Sequence, residues 1–350
     1  MGEVWAVNSP HSTFEVHAKG GMLSDVRLNV AGRIIAPFYE APWIASGVKA
    51  DPPILENLRG EFPCVPFGAD YPESSVTPEW KPSLARTSAD QSLDDSDFLL
   101  HGYCSMAEWS LVSRDDLSIE IAIDYPLSSA IRRLTRRIAA DASGPNLSFS
   151  LTIEARRAVS RPIGVHPNFA LPARSGGFLI RPGVFEFGIV HAAGPEPGVS
   201  RALPGAVFAD IAAVPLADGT TAAFDWLPFP YATEEILELC GIDGSVELLD
   251  EDLDVSYRLT WDPKDFNSLL LWMSNRGRPY PPWNSRNLCL GVEPMTGAFD
   301  LGTRAALAPN PINRRGVATV VQLDPATPRV MEYHVAASPR LGRPHEETQL

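Results

Sequence analysis

Alternation of apolar and polar residues at a period of two runs through this chain, and it restricts the fold more than any other feature. In Ser118-Ile119-Glu120-Ile121-Ala122-Ile123-Asp124 the isoleucines fall on one face and the polar residues on the other, as expected of a strand with one buried face. Leu147-Ser148-Phe149-Ser150-Leu151-Thr152-Ile153-Glu154 repeats the scheme. So do residues 246–249 and 255–261 on either side of an acidic turn, and residues 317–323 and 330–335 near the end. Helical signals are thin. Thr233-Glu234-Glu235-Ile236-Leu237-Glu238-Leu239 fits a short helix capped by Thr233, or else an edge strand. The chain has 33 prolines and 26 glycines, above the average share of about 12% for the two together. They are spread along its length, which implies many turns between short strands. No internal repeat is visible. An all-β chain of this length is compatible with a single domain over residues 1–350. The Pro-rich connections at 51–82, 194–205 and 278–284 read as long loops on one scaffold, and such loops often carry the site.

The formal net charge of −14 repels phosphate backbones and anionic headgroups, so neither nucleic acid nor membrane is an expected partner, whereas a neutral small molecule is compatible. No apolar run is long enough to span a bilayer. Cys64, Cys104, Cys240 and Cys289 lie far apart without a Cys-x-x-Cys pair, and no basic segment followed by an apolar core opens the chain. Reduced thiols in a cytoplasmic protein are the expectation. Arg132, Arg133, Arg136 and Arg137 put charge on both faces of one strand, which reads as an exposed, solvated edge. The turn Asp250-Glu251-Asp252-Leu253-Asp254 lacks the glycine and terminal glutamate of a calcium loop and reads as a solvated hairpin tip. Metal-binding spacings, phosphate-cradling glycine loops and a Gly-x-Ser-x-Gly elbow are absent from the sequence, so no metal and no cofactor are expected.

Three segments carry candidate acid–base chemistry. Gly291-Val292-Glu293-Pro294-Met295-Thr296-Gly297 places one carboxylate in a short, turn-flanked stretch, where partial desolvation would raise its proton affinity and suit it to general-base work. His101 precedes Gly102, and His166 precedes Pro167, which forces the histidine backbone toward an extended conformation. An imidazole near pKa 6.5 both gives and takes a proton at neutral pH. His11, His17, His191, His334 and His345 sit in less suggestive contexts and are expected to be structural.

In this order, the segments resemble the aldose 1-epimerase (galactose mutarotase-like) family over most of the chain. The resemblance starts at Leu58-Arg59-Gly60-Glu61-Phe62-Pro63-Cys64-Val65-Pro66-Phe67-Gly68 and passes through His101-Gly102 and Pro162-Ile163-Gly164-Val165-His166-Pro167-Asn168-Phe169. It ends at Leu290-Gly291-Val292-Glu293-Pro294-Met295-Thr296-Gly297. The resemblance implies a large single-domain antiparallel β-sandwich and a cofactor-independent isomerase of sugars. By it, Glu293 matches the base that removes the anomeric proton, His166 the acid that protonates the ring oxygen, and His101 a partner near that oxygen. The family also uses an Asn-Arg pair in the early loop and an Asp that holds sugar hydroxyls. Here Pro66-Phe67-Gly68-Ala69-Asp70 has no arginine after it, and Arg59 is the nearest candidate. Asp225 or Asp243 would supply the carboxylate, with Trp272, Asn275, Tyr280 and Trp283 as further pocket candidates. The altered loop leaves two alternatives open: a carbohydrate-binding or regulatory protein without turnover, and a lyase or hydrolase acting on an oligosaccharide in an open cleft.

Overall fold

The alternating segments become strands with one dry face and one that is wet in part, at residues such as Glu120 and Asp124. In the computed structural model, which describes residues 2–340, Ser118–Asp124 is a strand, and residues 147–154 lie within Asn146–Ala155. Both belong to a nine-stranded antiparallel sheet whose order is Trp226–Leu227, Phe178–Pro182, Ser245–Asp250, Val255–Trp261, Arg329–Pro339, Asn146–Ala155, Ile131–Ala140, Ser118–Asp124, Ser110–Arg114. A second sheet, of eight strands, runs Val207–Phe208, Phe187–Val190, Thr233–Cys240, Ser268–Asn275, Leu288–Thr296, Ile163–Val165, Pro63–Cys64, with Asn168–Ala170 also paired to Leu288–Thr296. A four-stranded sheet of residues from Val4 to Ile35 packs into the same core. Helices are few and short, and no helix among the described residues is long and apolar enough to cross a membrane.

One hydrophobic cluster joins the inner faces of the two large sheets. Leu237, Leu239, Leu269, Leu271, Met273, Leu290 and Val292 of the eight-stranded sheet meet Leu147, Phe149, Tyr257, Leu259, Tyr333 and Val335 of the nine-stranded one. Each such buried side chain contributes about 1.5–3 kcal/mol. The outer face of the eight-stranded sheet is dry as well. Its alternate residues, Ile236, Leu270, Trp272, Cys289 and Met295, enter a second cluster with Trp43, Phe62, Phe67, Trp80 and Trp283 from the overlying loops. This is why Ser268–Asn275 is buried at every position.

Several expectations need correction. Residues 233–239 are neither helix nor edge. Thr233–Cys240 is an interior strand between Phe187–Val190 and Ser268–Asn275, buried along its whole length. Its glutamates escape the usual exposure because each finds buried partners: Glu234 accepts from Ser274 and the Gly277 amide, Glu235 from Thr233 and the Arg201 amide, Glu238 from the Phe299 amide. The arginine-rich strand Ile131–Ala140 is likewise internal, paired on both sides. Arg132 and Arg133 do reach surface carboxylates, on Glu154 and Asp124. Arg136 is buried, pairs with buried Glu61, and donates to Gly21 O at 2.6 Å. Burial lowers its pKa to about 10, which still leaves it charged. Of residues 317–323, only Val321–Leu323 forms a strand. The acidic segment closes the hairpin of Ser245–Asp250 and Val255–Trp261, where Asp250 accepts the amides of Asp252 and Leu253. The four cysteines are buried and unpaired. His345 lies outside the described residues.

Candidate active site

The strand Leu288–Thr296 organises the site. Glu293 stands opposite Leu270 of Ser268–Asn275, and alternation turns both toward the outer face. Gly291, two residues earlier on the same face, is there for space, because a Cβ at that position would collide with Glu293 Oε1. On the strand's other side, Asn168–Ala170 pairs with residues 289–291 and Ile163–Val165 with residues 295–296. His166-Pro167 falls in the break between them. Pro167 has no N–H to give the ladder, yet its carbonyl accepts the Val292 amide at 2.8 Å. The break aims His166 toward Glu293, with Nε2 at 3.3 Å from Oε1. That approach is not aligned as a hydrogen bond, so Glu293 Oε1 lacks a protein partner, and the other ring nitrogen, His166 Nδ1, lacks one too.

His101 arrives from a different loop. Its backbone is left-handed, with φ of 59°, and its N–H donates to Gly68 O at 2.9 Å. The following Gly102 also has positive φ, and a Cβ there would strike Val65 O. The Gly68 amide approaches His101 Nδ1 at 3.4 Å, which leaves Nε2 to carry the proton of the neutral ring. The His101 and His166 rings meet edge to face at 5.1 Å between centroids, and Phe62 stacks on His166 at 4.7 Å. His101, His166 and Glu293 are 7%, 6% and 1% exposed.

Burial sets the electrostatics. It lowers His101 to about 4, against an opposing pull from Asp300. It lowers His166 well below the usual imidazole value, helped by His101, and raises Glu293 well above the usual carboxyl value, helped by Asp300. For the His166–Glu293 pair, both shifts favour the uncharged state. Asp300 behaves differently: burial alone would raise it, but His191 and the hydroxyl of Tyr71 hold it near 2. Its Oδ1 accepts from His191 Nε2 at 2.8 Å and its Oδ2 from Tyr71 at 2.9 Å.

These groups line one cavity of about 330 Å³ over the outer face of the sheet, within the size range of small-ligand sites. All three Pro-rich loops reach it, through Asp51, Pro195 and Tyr280 among others. Among the expected substrate contacts, Trp272 lines the cavity, as do Tyr280 and Trp283. Arg59, Asp225 and Asn275 are not in its lining. Arg59 is held by His17 Nε2 at 2.9 Å and by Asn57 O. Asp225 belongs to the nine-stranded sheet's margin, where its carbonyl accepts the Ile180 amide. Asn275 is a buried brace whose amide donates to the carbonyls of Phe229 and Tyr231. Asp243 sits beside Val184 and Ser245, also away from the lining.

Sequence reasoning missed Asp300, Tyr71 and Arg278, which do line the cavity, and His191, which supports Asp300. Asp300 follows Gly297-Ala298-Phe299 with no recognisable spacing, and only its closeness to the Glu293 segment hinted at it. Arg278 comes from the third Pro-rich loop, stacks on Trp283 at 4.6 Å, and pairs with Glu196 at 3.3 Å and Glu234 at 3.8 Å. Among the described residues no three His, Cys, Asp or Glu side chains are grouped to hold a metal ion.

No protein-family model matches this chain. No curated protein matches it in sequence. Solved structures do match. The GalM/aldose epimerase homologue from C. elegans is 10% identical with a TM-score of 0.61, over 96% of this chain and 99% of that one. A galactose mutarotase-like protein from Lactobacillus casei ATCC 334 is 13% identical with a TM-score of 0.57, over 96% and 100%. The Slr1438 protein from Synechocystis sp. PCC 6803 is 12% identical with a TM-score of 0.63, over 97% and 96%. At these identities the likeness is one of architecture, and it agrees with the two-sheet, strand-dominated arrangement described above: the chain has the galactose mutarotase-like fold.

Proposed function

We propose that this cavity is the active site of a cofactor-independent isomerase that interconverts the anomers of a sugar by acid–base ring opening and reclosure. The observation that carries it is the convergence of His101, His166 and Glu293, from three separate segments, on one small cavity. Opening transfers the anomeric hydroxyl proton to Glu293 while His166 gives a proton to the ring oxygen, with His101 Nε2 donating a hydrogen bond near that oxygen. The electron pair of the O–H bond becomes the carbonyl π bond, and the C1–O5 pair leaves with the ring oxygen. Rotation about the first carbon–carbon bond and the reverse transfers complete the exchange.

The protonation balance sets the starting state of this cycle. Opening takes the pair from carboxylate and imidazolium to carboxylic acid and neutral imidazole. Burial pushes Glu293 up and His166 down, so it favours the state that accompanies the open-chain sugar. The same shifts make the uncharged pair the resting state, so the carboxylate–imidazolium pair that begins the opening forms by moving one proton from Glu293 to His166. Asp300, held ionised by its two donors, adds a fixed negative charge to the same cavity.

Exchange NMR or polarimetry on a panel of free sugars tests the proposal. Wild-type protein is expected to interconvert anomers faster than buffer, and Glu293→Gln to lose about 100-fold or more. Full activity in Glu293→Gln would remove Glu293 from the role of base. The missing Asn-Arg pair in the early loop motivates one alternative, a sugar-binding protein without turnover. Calorimetric binding with no anomer exchange is its signature.

A further inference from the structure

The polar groups of the cavity are few, and most are already engaged. Beyond the acid–base trio, the polar side chains in the lining are Asp51, Tyr71, Arg278, Tyr280 and Asp300. The Tyr71 hydroxyl donates to Asp300, the Tyr280 hydroxyl donates to Glu196 at 2.7 Å, and Arg278 donates from Nε to Glu196 with buried Glu234 neutralising it at 3.8 Å. Asp300 already accepts from two donors. Exposed Asp51, the remaining N–H groups of Arg278 and the remaining lone pairs of Asp300 are what is left for the several hydroxyls far from the reacting centre. The rest of the wall is apolar, with Ile54, Leu55, Leu58, Leu100, Ile236 and Trp283 as its main surfaces.

A hexopyranose carries a hydroxyl on almost every ring carbon, and each one buried without a partner costs about 1–3 kcal/mol. Anions fare worse, because the charge of the lining's arginine is offset by Glu196 and Glu234 while Asp51 and ionised Asp300 face the same space. Building on the isomerase assignment above, we propose that the site selects an uncharged, hydroxyl-poor aldose: a deoxy sugar, or a sugar bearing an apolar substituent remote from the anomeric carbon.

The test compares matched substrates on the wild-type protein: glucose with 6-deoxyglucose, galactose with 6-deoxygalactose, and glucose 6-phosphate as the charged control. Anomer exchange by NMR gives kcat/KM, and calorimetry gives binding. Removing one unpartnered hydroxyl is expected to raise kcat/KM by about 5- to 150-fold, with glucose 6-phosphate the poorest of the set. Exchange in which the parent hexoses or the phosphate match the deoxy sugars overturns the selectivity and leaves the isomerase assignment intact. Tighter binding of deoxy sugars with no exchange does the reverse. Neither binding nor exchange by any of the five sugars overturns both.

Discussion

Glu238 offers a prediction that needs no substrate. It is wholly buried on the strand Thr233–Cys240, where Oε2 accepts the Phe299 amide at 2.8 Å and Oε1 faces the Cys240 thiol at 3.6 Å. Burial raises its pKa from 4.5 to about 7, against the opposing effect of the Phe299 amide and its other donors. An acid whose folded pKa exceeds its unfolded one binds more protons when folded, between the two values. Stability therefore falls as pH rises through that window, is unaffected below it, and has lost the full amount above it. From 4.5 to about 7, at about 1.4 kcal/mol per unit, the loss is about 3 kcal/mol. Glu238→Gln keeps a carbonyl oxygen for the Phe299 amide and removes the titration. Thermal unfolding of both proteins is to be followed by circular dichroism from about pH 4.5 to 8 at constant ionic strength. The gap between them should move by about 3 kcal/mol in favour of the variant. At an unfolding entropy of about 0.7 kcal/mol/K for a chain of this size, that is about 4 °C. A gap that stays constant over the window would refute the assignment of a titrating carboxyl to this position.

Three further outcomes are expected. A Cβ in Gly291→Ala would displace the Glu293 carboxylate and lie 3.1 Å from Trp272 Cβ. Because the displaced group ends a flexible side chain, stability should change by no more than about 1 kcal/mol, while anomer exchange falls about 100-fold; undiminished exchange would show that the carboxylate's position is irrelevant. The reactive ion pair and the uncharged pair hold the same number of protons, so with His101 near 4, His166 well below and Glu293 well above their usual values, kcat/KM should stay flat through 6.5, decline toward pH 4 as the imidazoles charge and decline again at alkaline pH as Glu293 ionises; an inflection at 6.5 would contradict these shifts. Arg136→Met strands the Glu61 carboxylate, one oxygen of which already lacks a partner, and should cost about 3–5 kcal/mol in urea unfolding, with Glu61→Leu restoring most of it. A loss below about 1 kcal/mol would mean that Glu61 is not left as an uncompensated buried charge.

Legibility differed between the two sheets for a physical reason. The nine-stranded sheet has one solvated face, so Ser118–Asp124 and Asn146–Ala155 announce themselves by alternation. The eight-stranded sheet is dry on both faces, and Ser268–Asn275 shows no period of two because none is required. Thr233–Cys240 misled further, since its three glutamates suggested solvent and instead meet buried donors supplied by distant residues. Within the cavity, His101, His166 and Glu293 were traceable because turn-formers and glycines mark the local backbone each one needs. Arg59 was chosen for its nearness in sequence to an expected loop, whereas the arginine at the cavity is Arg278, more than two hundred residues later. Asp300 depends on His191 and Tyr71, and a constellation assembled from three loops leaves no spacing to read.

A sheet covered on both sides also divides the molecule by how readily its parts open. The amides of Leu288–Thr296 lie beneath the loop layer on one face and the inter-sheet core on the other. Their exchange with solvent requires one of these layers to lift, so they belong among the slowest-exchanging amides of the chain. The carboxylate at Glu293 is thus fixed to the stiffest ground available, while the Pro-rich loops above it supply the cavity's exposed rim at Asp51 and Tyr280. Protection from hydrogen exchange should accordingly drop steeply from the floor of the cavity to its cover, over a distance of a single side chain.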